Sequence, residues 1–349
     1  MSVTKICIYF SFIILIICSL SNSKSALPDK LSDYQFFKGD LKDLTPNDGI
    51  IPYDLNSSLF TDYASKARFI KIPNGKTGIY NSDKVIDFPE GTILIKNFFY
   101  PLNELKPELG RKIIETRLLI HENSGWKAYP YIWNEEQTDA SLEITGGSIP
   151  VQFRNKKNQL IDFTYEVPNI NQCKGCHELN GKMSPIGPSA RQLNKEYTFS
   201  HKTQNQLLAL KEKGILDMST DQFDKAPQLA NYDNLNESLN KRARAYLDIN
   251  CAHCHNPEGP AKNSGLNLSW NNNDQTTYGF MKSPVAAGRG SGHFLYDIVP
   301  RKAKESILFF RMNSTDPGIM MPELGRTMIH KEGVELIKEW INKSDLVIQ

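Results

Sequence analysis

Four cysteines and two histidines stand in two short, matching stretches: Cys173, Cys176 and His177 in "NQCKGCHELNG", and Cys251, Cys254 and His255 in "NCAHCHNPEGP". Two thiols separated by two residues can close a tight disulfide, supply half a zinc site, act as a redox dithiol, or add to the vinyl groups of a haem. The histidine after each second cysteine separates these readings. Zinc held by four thiolates leaves both histidines idle, and disulfides make them incidental. A thioredoxin-like dithiol belongs at a helix start after a strand, in a βαβ setting that this sequence lacks. In CxxCH, by contrast, the thiols anchor the macrocycle and the adjacent imidazole reaches its iron. The repeat therefore predicts two covalently attached haem c groups, with His177 and His255 as iron ligands and His253 as a spacer.

A sixth iron ligand is expected in "SILFFRMNSTDPGIMMPELG", where Met321, directly before Pro322, offers a soft thioether. Met320 is the runner-up and Met312 a poorer candidate inside an apolar segment. For the first haem the candidates are Met183, His201 and Met218, an open position, or a ligand from elsewhere such as His121 or His293. Arg289 and Arg326, in glycine-containing loops, are candidate propionate partners, although ordinary solvated arginines are the commoner reading.

These residues need elements to hold them. Residues 51–168 alternate apolar and polar positions between Pro, Gly and Asn turns, as in "ARFIKIPNGKTGIY" and "KIIETRLLIHENSGWKAYPYIWN", and predict a β-rich domain. Its Trp126, Tyr129, Tyr131 and Trp133 read as core or cross-strand packing in preference to a binding surface. After Pro168 the spacing turns helical in "NQLLALKEKGIL", "ESLNKRARAYLDINCAHC" and "HKEGVELIKEWINK". The predicted fold is multidomain: an extended lead-in over 26–50, the β-rich domain over 51–168, and two mainly α-helical cytochrome c-like units, a first haem c unit over 169–250 and a second over 251–349.

The start of the chain has a different character. Met1 to Lys5 precede "ICIYFSFIILIICSL" and the small, polar "SNSKSA", the order of a cleaved signal peptide over residues 1–25. That reading is preferred to a lipoprotein at Cys18 or a retained anchor. Losing Lys5 and Lys24 takes Lys+Arg from 41 to 39, equal to the 39 Asp+Glu. A neutral chain without a basic tail or stripe argues against nucleic acid as a partner. With 40% apolar residues and a mean hydropathy of −0.44, neither a disordered chain nor a multi-span membrane protein is expected. Cys173, Cys176, Cys251 and Cys254 remain in the exported part, where free thiols are vulnerable to oxidation.

The helical run "RARAYLDIN" leading into the second motif, the methionine loop and the terminal "LIKEWI" resemble a c-type cytochrome domain. Together with "LFTDYASKARFIKIPNG", "FPEGTILIKNFFY", "PIGPSARQLN", "PVAAGRGSG" and "MMPELGR", the chain resembles bacterial periplasmic di-haem c-type cytochromes, specifically a largely uncharacterised family of exported haem proteins with a β-rich N-terminal part. The resemblance implies Fe(III)/Fe(II) electron transfer in the periplasm with a redox protein partner. Two alternatives stay open: a di-haem oxidoreductase with peroxidase-like or small-molecule oxidising activity at an open first haem, and a haem-bearing partner-binding module.

Overall fold

A computed structural model of the chain describes residues 27–344 apart from residues 201 and 286. The predicted signal peptide lies outside the described residues, as does His201. Within them, no helix is long and apolar enough to cross a membrane.

The N-terminal part is built on nine strands: β1 (Ile50–Tyr53), β2 (Ser65–Lys71), β3 (Gly78–Ile79), β4 (Ile93–Pro101), β5 (Arg111–Glu122), β6 (Gly125–Trp133), β7 (Ala140–Leu142), β8 (Gly147–Arg154) and β9 (Leu160–Val167). Six of them form one antiparallel sheet in the order β1-β2-β4-β5-β6-β7, and β8–β9 is a separate hairpin. Both faces of the large sheet are covered, which is why "TILIKNFFY" runs nearly continuously apolar instead of alternating. On one face Phe69, Ile95, Leu118 and Tyr131 bury Leu31, Phe36, Phe37 and Leu44 from the preceding segment. That segment, read as an extended lead-in, contains two 3-10 turns, Leu31–Tyr34 and Leu41–Asp43. Its aromatic and leucine residues supply the apolar area that fastens it to the sheet.

The opposite face carries Ile70, Ile72 and Leu94 into a core shared with Leu207, Leu210, Tyr246, Leu247, Ile337 and Ile341. Here the structure corrects the expected fold. The C-terminal part is mixed, with strands β10 (Glu178–Leu179), β11 (Lys182–Met183), β12 (Glu196–Thr198), β13 (Thr203–Asn205) and β14 (Leu216–Asp217) interleaved with seven short helices. These are α1 (Ile170–His177), α2 (Ala190–Leu193), α3 (Gln206–Glu212), α4 (Thr220–Asp224), α5 (Leu239–Leu247), α6 (Ile307–Met312) and α7 (Lys331–Lys343). It is not two mainly helical cytochrome c-like units. Strand pairs of two or three residues carry too few positions to show a period-two pattern, so spacing alone reported only the helices. β14 also pairs in parallel with β3, tying this part to the β-rich region by backbone hydrogen bonds.

Two contacts hold the C-terminal loops in place. Asp62, buried beneath the sheet end, accepts the backbone N–H of Thr327 at 2.9 Å and of Met328 at 2.8 Å, and the Thr327 hydroxyl at 3.1 Å. α7 crosses α5 at Gly333, where a Cβ would lie 2.4 Å from the Tyr246 hydroxyl oxygen. Only the missing side chain allows so close a crossing.

Candidate functional site: two thiols from separate motifs

Each CxxCH stretch is placed by a helix end. Asn169 caps α1 through a capping box, its side chain accepting from the Gln172 N–H while the Gln172 side chain accepts from the Asn169 N–H. This satisfies otherwise orphaned donors and starts the single helix that holds Cys173, Cys176 and His177. α5, capped by Ser238, continues into a wider turn over Asp248–Ala252 that carries Cys251. Within it, Asn250 accepts the Phe60 N–H at 2.8 Å and donates to the Tyr246 carbonyl at 2.9 Å, pinning the turn to the β-rich region.

The two stretches meet. The Cys254 thiol and the side chain of His253 both lie beside Cys176 and act on its protonation. The neighbouring Cys254 thiol, followed by His253 and the Arg117 charge, holds Cys176 well below the ordinary thiol range against the opposing effect of burial. The same neighbour relation drives the Cys254 thiol upward, with burial adding to it. Burial also pushes Cys173 up, and Cys251 up to about 12. All four are free thiols.

Cys176 and His253 separate two hollows. On one side is an apolar cavity of about 130 Å³, whose walls include Cys173, His177, Cys251 and Met321. On the other is a cleft of about 630 Å³ reaching Trp126, Arg191 and Trp270. His255 and Met321 line a third hollow of about 70 Å³ together with Cys251.

The haem expectation is corrected here. Among the described residues no group of three or more His, Cys, Asp or Glu side chains gathers where a metal ion could be held. A macrocycle with iron between His255 and Met321 would have to occupy that third hollow of about 70 Å³, whereas pockets for small-molecule ligands run to about 300–1,000 Å³. The cysteines engage across the motifs, Cys176 with Cys254, instead of each pair facing its own cofactor. The residues therefore do not fit two haem c groups, and the reading as a metal-binding c-type cytochrome, with iron held by His177, His255 and Met321, does not stand.

The other candidates lie elsewhere in the structure. Met218 and Met312 are buried in the shared core, and Met183 sits in the short strand β11. His121 hydrogen-bonds the Phe88 carbonyl at 2.8 Å and stacks on Trp126, and His293 is exposed. Arg326 donates to the carbonyls of Ser314, Met321 and Met328, and Arg289 pairs with Asp316. Tyr131 and Trp133 are core residues.

His177 Nδ1 donates to the Ser184 carbonyl at 2.8 Å. His255 Nδ1 donates to Ser264 Oγ at 3.0 Å, because that hydroxyl itself donates to the Ala261 carbonyl. Burial holds His177 down to about 3, and His255 and His330 down to about 4. Each must then fold neutral. An unfolded histidine takes up its proton near pH 6.5 and the folded one only below these values, so the unfolded state binds more protons in that window. Stability is full above about pH 6.5 and falls as pH drops toward about 4, by up to about 1.4 kcal/mol per pH unit for each histidine. Urea midpoints measured at about pH 7 and about pH 4.5 check this; equal midpoints would refute it.

Two features escaped the sequence reading. His253 was assigned as a spacer, although a histidine flanking a cysteine on its other side is a visible signal. The second is a set of charges, Arg68, Lys96 and Arg117, lining the apolar cavity. Only Lys96 leaves a local signal, as a lone cation in the apolar run "ILIKNFFY"; Arg68 and Arg117 stand near other charged residues of their strands. No family model, curated protein or solved structure matches the chain.

Proposed function

We propose that Cys176 and Cys254 form a thiol–disulfide exchange centre acting on small-molecule disulfides, and that the chain works in the periplasm. The observation that carries this reading is the contact between one lowered and one raised thiol drawn from separate motifs. Cys176 borders both hollows, so a substrate can approach it from either side. The N-terminal stretch, with its basic start, apolar middle and small-residue end, supports export.

In the first step the Cys176 thiolate attacks one sulfur of the disulfide, forming a mixed disulfide and releasing a substrate thiolate, which takes up a proton from Cys254. The Cys254 thiolate then attacks Cys176 Sγ. This forms the Cys176–Cys254 disulfide and expels the second substrate thiolate, which is protonated through His253. One disulfide has been reduced to two thiols and one protein dithiol oxidised. A dithiol on a partner protein returns the pair to its reduced form by the same exchange in reverse.

The test uses the full-length mature chain, reduced, alkylated under denaturing conditions and weighed intact. Four alkyl additions before reaction with hydroxyethyl disulfide and two after it are expected, with a cross-linked peptide joining Cys176 to Cys254. Cysteines already blocked by any covalent group, or a new bond inside either CxxC, would overturn the reading.

A further inference from the structure

Three of the four Arg and Lys side chains lining the cavity stand in a row. Arg68 on β2 stands directly opposite Lys96 on β4, and Lys96 directly opposite Arg117 on β5. Like charges opposite one another on antiparallel strands are destabilising, and burial makes each charge costlier. The carboxylates paired with the row do not balance it. Asp54 pairs with Arg68 at 2.9 Å but is shared with Lys195 at 3.0 Å. Glu115 pairs with Arg117 and accepts from the Tyr165 hydroxyl at 2.9 Å. Lys96 has no carboxylate partner among the described residues, and burial followed by its cationic neighbours disfavours its charged form. Arg68, only 4% exposed, keeps Nη2 buried without a hydrogen-bond partner, and Arg117 keeps Nε in the same condition. Such groups are rare and costly unless something meets them.

We infer that this row receives the carboxylate of the substrate, so that the disulfides served by Cys176 are those of carboxylate-bearing small molecules. This rests on the thiol-exchange reading for its chemistry, but the anion site itself does not need it. An arm of a few carbons and a carboxylate is of the right scale for the apolar cavity of about 130 Å³, since a cavity of about 150 Å³ takes benzene. The rest of the molecule extends past Cys176 into the cleft. Arg117 acts at long range on both Cys173 and Cys176, which places row and nucleophile side by side.

The experiment compares dithiodipropionate with the neutral hydroxyethyl disulfide as oxidants of the reduced chain. The ratio of their rate constants should favour the dicarboxylate by roughly ten- to a hundred-fold, the scale of a hydrogen bond to a charged group. In Lys96→Met the ratio should fall toward unity, and Lys96→Arg should keep it. In parallel, suberate, a dicarboxylate with no sulfur, is titrated into the Cys176→Ser protein with octanediol as the neutral control, and binding is read as a shift in Tm. Suberate should raise Tm in Cys176→Ser but not when Lys96→Met is added; octanediol should do neither. Equal shifts with suberate and octanediol, or none with suberate, overturn the anion site. Suberate binding with both disulfides inert leaves the anion site standing and sinks the exchange chemistry instead.

Discussion

Cys254→Ser should react with hydroxyethyl disulfide once and stop, carrying a stable mixed disulfide on Cys176, whereas the unaltered chain passes through that species and closes the internal bond. The argument rests on the division of labour between the two sulfurs. Cys176 is held low and is the better thiolate; Cys254 beside it is pushed up and is the poorer one. The serine hydroxyl still offers a donor beside His253 and Arg117 to support the thiolate, so the first attack survives, but no sulfur remains to resolve the adduct. Cys176→Ser should slow the first attack by on the order of a thousand-fold, because the other thiols are poor substitutes. Cys251, raised to about 12 by burial, has only about one part in 100,000 as thiolate near pH 7. Stopped-flow thiol release, with intact mass at each time point, checks both variants. A Cys254→Ser protein that releases both substrate thiols, or a Cys176→Ser protein that reacts at the original rate, would refute the assignment.

How much of this was readable in advance differs by level. The residues bearing the chemistry were: CxxCH, repeated, located all four thiols and both buried histidines by spacing alone. The large sheet was also readable, because "ARFIKI", "TILIKNFFY" and "ETRLLI" have the β-branched and aromatic content of strands. What the thiols face was not. Whether Cys176 meets Cys173 or Cys254 depends on where α1 lies against the sheet and how the turn after α5 is pinned by Asn250, and neither distance has a local signature. A motif with a strong cofactor association therefore led to a cofactor, while the fold brought its second cysteines to each other. The cation row shows the same limit from the other side. Each of Arg68, Lys96 and Arg117 is unremarked within its strand, and only the register sets them opposite one another.

That register makes the row's members unequal, and Arg117→Met should show it by destabilising the protein by about 3–5 kcal/mol. Glu115 is fully buried, its Oε2 has no partner, and its other oxygen is held by Arg117 and the Tyr165 hydroxyl. Without the guanidinium, a carboxylate is left with one hydrogen bond and no positive partner in the interior, the situation in which breaking a buried pair is most damaging. The loss should not come from packing, since Met refills most of the arginine stem against Phe98, whose ring lies 4.8 Å from the guanidinium carbon. Replacing both partners, Glu115→Gln with Arg117→Met, should therefore recover most of the stability, because the charge that suffered is gone. Lys96→Met is the contrasting case: it removes an amine that has no ion-pair partner among the described residues and whose charged form burial and its cationic neighbours already disfavour, so its urea midpoint should not fall. If Arg117→Met and Lys96→Met lose stability equally, or the double variant is as unstable as Arg117→Met alone, Glu115 is not what Arg117 supports, and the row has no member reserved for the anion.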